Sequence, residues 1–77
     1  MTIGIDLASA PLDTPLTLVG IDGSAENTRR LATLGLREGA VFRLLARTIG
    51  GGRILLVAGS RIAISRELLR QLRAEAA

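Results

Sequence analysis

Short apolar runs alternate with glycine-rich breaks along the whole chain. "LTLVGID", Leu16–Asp22, places Leu16, Leu18 and Gly20 at alternate positions, with Thr17, Val19 and Ile21 between them. That period of two, with β-branched residues in it, predicts a strand. Asp22–Ser24 reads as a turn. Ser24 then suits the N-cap of a helix over about residues 25–34, with Glu26 complementing the dipole. Leu31 and Leu34, three apart, share a helix face. Gly35 fits the left-handed position just past the helix, which makes Leu36 the expected hydrophobic contact of Leu31. Gly39 suits the positive-φ position of a type II turn over residues 37–40. Leu31, Leu34, Gly35, Leu36 and Gly39 therefore predict a rigid helix-to-strand corner.

The pattern then returns to a period of two. Over residues 40–48, Phe42, Leu44 and Ala46 point one way, and Val41, Arg43, Leu45 and Arg47 the other. Ile49–Gly52 is a hairpin loop, residues 53–59 are the return strand, and residues 60–65 follow after a tight turn at Gly59-Ser60. Ser65 caps a final helix through "RELLRQLRAEAA", with Leu68, Leu69 and Leu72 as its apolar stripe. Residues 1–15, holding Pro11 and Pro15, read as an extended lead-in that wraps the domain, with a short strand at residues 4–7.

Short strands, glycine turns and one inserted helix make residues 1–77 a single, mainly β domain. The expected form is a small closed or partly open β-barrel with one short inserted helix and a C-terminal helix. Phe42, Leu44, Ile54, Leu56, Ile62 and Ile64 are expected inside, with Leu31 and Leu34 plugging one end. "ILLV", residues 54–57, is apolar on both faces. Leu55 and Val57 then face outward, covered by the C-terminal stripe or left open for a partner beside a basic rim of Arg43, Arg47 and Arg53.

Composition narrows the chemistry. The 77 residues contain no cysteine and no histidine. That removes disulfides, thiolate nucleophiles and the usual soft or borderline metal ligands. No catalytic dyad or triad through His or Cys can form. Ser24, Ser60 and Ser65 sit at turns or caps without a base. Gly50–Gly52 lacks the Lys-Ser/Thr ending of a phosphate loop and is followed by a strand. Asp22 and Glu26 come near each other at the first helix start, where turn and dipole chemistry accounts for them. Neither an enzyme nor a metal or cofactor site is expected.

The net charge is +3, carried by arginines alone. No dense basic run exists, and the one aromatic, Phe42, falls on the core face, so a base-stacking platform is missing. No apolar run approaches the roughly 20 residues of a membrane span. Ala8-Ser9-Ala10 mimics a signal-peptidase site, but no basic region precedes it, so the reading is cytoplasmic.

The order of pieces resembles a known family. "RRLATLGLREGAVF" and "GSRIAISRE" are similar to the corner and the late strand of FeoA, the small cytosolic component of bacterial ferrous iron transport. The same domain ends many iron-dependent repressors. Arg30, Leu31, Leu34, Gly35, Leu36 and Gly39 stand in the family's places, as do Gly59, Ile62, Ala63, Ile64, Arg66 and Glu67. Glu38 stands where the family commonly has proline. The resemblance implies an SH3-like barrel without catalysis of its own. It also implies a helper role at the membrane GTPase transporter FeoB, with membrane association only through that partner. Weak self-association is compatible with it. Two alternatives are a regulatory SH3-like module of a metal-dependent repressor and a small nucleic-acid-binding barrel.

Overall fold

The computed structural model describes residues 6–77. Of the strand expected at residues 4–7, residues 4 and 5 lie outside the described residues, and Asp6–Leu7 is not strand. The elements are β1 (Pro15–Ile21), α1 (Ala25–Thr33), β2 (Val41–Arg47), β3 (Arg53–Val57), β4 (Ser60–Ile64), α2 (Arg66–Leu69) and β5 (Leu72–Ala76). All neighbouring strands are antiparallel, in the order β4-β3-β2-β1-β5. β4 and β5 end the sheet, so it does not close into a hydrogen-bonded barrel.

Helix α1 starts and stops where local chemistry says it should. The Asn27 N–H donates to Ser24 Oγ at 3.1 Å, which satisfies one of the free donors of the first turn. At the other end, the Leu36 N–H donates to the Leu31 carbonyl at 2.9 Å and the Gly35 N–H to the Ala32 carbonyl at 3.0 Å. This bond pair is a Schellman end, and Gly35 has φ +94. Leu31 and Leu36 are both buried. The Ala40 N–H then donates to the Arg37 carbonyl at 2.9 Å, closing a turn with Gly39 at φ +89. Leu34, however, does not plug the fold: it is 44% exposed, because the helix ends at Thr33 and the cap residue turns outward.

The inner face carries Leu16 and Leu18 of β1, Phe42 and Leu44 of β2, Leu55 and Val57 of β3, and Ile64 of β4. Leu7 and Ala10 of the lead-in, Leu69 of α2 and Leu72 and Ala74 of β5 complete the core. Burial of these side chains is the main stabilising term, at about 1.5–3 kcal/mol for each large one before chain entropy is set against it.

The expected C-terminal helix is replaced. α2 is a single turn, capped by Ser65, whose Oγ accepts from the Leu68 N–H at 3.2 Å. The chain then runs as β5 along β1, with Leu16 opposite Ala76 and Leu18 opposite Ala74. "LRAEA" satisfies a period of two as well as a helical one, since Leu72 and Ala74 are buried and Arg73 and Glu75 exposed. Pairing with the second edge of β1 satisfies a row of backbone groups that a longer helix would have left open.

Candidate interaction surface

Strand β3 decides which side chains meet the outside, and it is inverted relative to expectation. Phe42 lies opposite Val57 and Leu44 opposite Leu55. Residues directly opposite share a face, so Val57 and Leu55 must be inside wherever Phe42 and Leu44 are. Leu55 is fully buried and Val57 nearly so. They form core, not a docking face, and Ile54 and Leu56 are the half-buried residues of the other face. A bulge between Leu44 and Ala46 shifts the far half of β2, so Ala46 lies opposite Ile54 and leaves the inner face predicted for it.

Arg53 is also inside, at 3% exposure, and takes no part in a rim. Its Nε donates to the Leu7 carbonyl at 3.4 Å, and Nη2 donates to the Ala8 carbonyl. Nη1 is buried without a hydrogen-bond partner among the described residues. The guanidinium thus clamps the lead-in onto the start of β3. No carboxylate pairs with it among the described residues; carbonyl dipoles do the work. Arg43 and Arg47 remain exposed as predicted.

The outward face of the β2-β3-β4 meander has a simple layout. One cross-strand row reads Arg43, Leu56, Arg61, and the next reads Ala46, Ile54, Ala63. Ile54 and Leu56 form an apolar ridge along the central strand, with arginines beside one and alanines beside the other. Val41, 56% exposed, extends the same face of β2. Asp13 sits on Arg43, Oδ1 to Nη1 at 3.5 Å, and both groups are well exposed. The other ion pairs among the described residues are Arg30–Glu26 and Arg73–Asp22.

The reactive inventory is sparse. No three metal-ligating side chains converge among the described residues, and their surface has no pocket. Ser24 and Ser65 are helix caps, bonded to backbone N–H groups. The triglycine loop is a hairpin: the Thr48 N–H donates to the Gly52 carbonyl at 3.0 Å. Phe42 is buried, as its strand pattern predicts. No helix among the described residues is long and apolar enough to cross a membrane.

Known proteins share this arrangement. An iron uptake regulatory protein, FeoA, superposes with a TM-score of 0.81 at 24% identity, over 99% of this chain and 100% of that one. The zinc complex of Stenotrophomonas maltophilia FeoA, described as a prokaryotic SH3-domain protein, matches at 25% identity and a TM-score of 0.72, over 92% of this chain and 89% of that one. The likeness extends to IdeR of T. acidophilum, with a TM-score of 0.82 at 17% identity, over all of this chain and 36% of that one. None of the curated protein sequences matches the chain. The family model of the FeoA domain covers residues 5–76, so corner, meander and β5 all fall within it, and the chain belongs to the FeoA family.

Proposed function

We propose that the chain is a non-catalytic accessory protein of ferrous iron uptake that binds the cytosolic side of the membrane GTPase transporter FeoB. The observation that carries this reading is the FeoA-domain match over residues 5–76. The scarcity of reactive groups supports it: a rigid small fold with exposed arginines and a half-apolar sheet face suits binding better than turnover. In this role the protein works at the cytosolic face of the membrane, held there by its partner.

The test is co-purification of the transporter from the protein's own cell under mild detergent. Recovery of the transporter with the tagged chain is the expected result. Its absence, together with salt-sensitive nanomolar binding to DNA or RNA, would replace this reading by the nucleic-acid barrel. A second reading, as a regulatory module of a metal-dependent repressor, is favoured by the likeness to IdeR. It predicts capture of a repressor in the same experiment instead of the transporter.

A further inference from the structure

We propose that the outward face of the meander, centred on Leu56 and Ile54, is where an acidic, partly apolar protein segment docks. Resting on the reading above, that segment belongs to the transporter's cytosolic part. The chemistry of the partner follows from the layout of the face. Arg43 and Arg61 flank Leu56 on the two neighbouring strands. Adjacent strands lie about 5 Å apart, so the two arginine positions are about 10 Å from each other across the apolar ridge. A segment that seats one apolar side chain on Leu56 can bring a carboxylate to each side of it. The next row offers small side chains, Ala46 and Ala63, on both sides of Ile54, which leaves room for a second apolar contact.

Charge decides the sign of the partner. Arg61 has no ion pair among the described residues, and Arg43 is held by the exposed Asp13 at 3.5 Å. Asp13, at φ 61, already places one carboxylate on this row. A partner carboxylate would compete with it. Phe42, the one aromatic, is buried, so the face has nothing on which a base could stack. Apolar anchors between guanidinium groups fit a protein segment better than a phosphate chain.

The experiment compares four forms of the full chain for binding to the detergent-solubilised transporter, with folding checked by thermal melts. Leu56→Asp is expected to weaken binding about 30-fold or more, as loss of a central anchor does. Arg43→Glu with Arg61→Glu should weaken it about tenfold and mainly through the association rate, with a flatter salt dependence. Asp13→Asn should tighten it a few-fold by freeing Arg43. Arg61 is exposed and has no ion pair among the described residues, so its replacement tests the face even if Leu56→Asp does not fold. Wild-type binding that survives all three changes would overturn this surface and leave the proposed function standing. No binding by the wild type would overturn both. Amide-shift changes confined to α1 and the Gly35 corner, or arginine-dependent binding to RNA or to anionic vesicles in place of the transporter, would also overturn it.

Discussion

Replacing Gly35 with alanine should cost more than replacing Gly39, and the difference has a single structural source. Both glycines have positive φ, +94 and +89. A Cβ in the left-handed region costs about 1–2 kcal/mol. At Gly39 that is the whole effect, because an added Cβ meets nothing within 4 Å. At Gly35 the added Cβ would lie 2.9 Å from the Ala58 Cβ, too close for two carbons, so the corner or the β3–β4 turn must move. Overpacking of this kind adds about 1–2 kcal/mol. The total for Gly35→Ala is about 2–4 kcal/mol. A chain of this length has roughly 4–12 kcal/mol of stability in all. The expected fall in Tm is about 10–25 °C, against about 5–15 °C for Gly39→Ala. Ala58 is itself at φ 51, so Ala58→Gly alone should be close to neutral: relief of left-handed strain offsets the freer unfolded chain. In the Gly35→Ala background the same change should recover about 1 kcal/mol or more. A cycle of urea melts measures that coupling. Equal costs for the two glycines, or additivity in the double mutant, would refute the contact between corner and turn.

Other perturbations test other parts of the structure. Phe42→Ala should cost about 3–5 kcal/mol in a urea melt, a large share of the total stability. Arg53→Ala should lose about 2–3 kcal/mol and speed proteolysis within residues 8–13, since the guanidinium ties the Leu7 and Ala8 carbonyls to β3. Ser65→Ala should cost about 1 kcal/mol through loss of the α2 cap. Calorimetry with ferrous iron or zinc should show no one-to-one site at micromolar protein; a tight site would reveal a carboxylate cluster formed on binding.

Where local rules decide, sequence and structure agree. The Schellman end at Gly35, the turn at Gly39 and both serine caps follow from neighbours only a few residues away. The face of β3 is a different case, because "ILLV" is apolar on both sides and its own pattern cannot choose. The information lay in the next hairpin. A two-residue turn sets odd positions of one strand opposite even positions of the other, so Ile62 and Ile64 inside require Leu55 and Val57 inside. The observed turn is Ala58-Gly59, one residue earlier than the expected Gly59-Ser60, and it does this with both residues at positive φ and Val57 opposite Ser60. Arg53 shares that parity, and its burial was hidden because the carbonyls that hold it come from the lead-in, far away in the chain. β5 was hidden for a related reason: a segment compatible with helix and strand was settled by an unsatisfied edge on β1, a tertiary demand with no local signature. The candidate docking face inherits these errors, and its ridge consists of Ile54 and Leu56 where the sequence pattern pointed to Leu55 and Val57.

The place of β1 between β2 and β5 has a consequence for the folding polypeptide. β2, β3 and β4 meet through two short hairpins, so their pairings are local and quick to form. β1 is made before them, yet its second neighbour, with Leu16 opposite Ala76, comes from the far end of the chain. Pairings of such long reach are slow to form. A folding chain that has already built its meander must therefore wait with one edge of β1 unsealed. That edge is a template for any other unpaired strand, and other folding copies supply them. A released chain that ends just before Leu72 should be mostly folded and yet prone to aggregate.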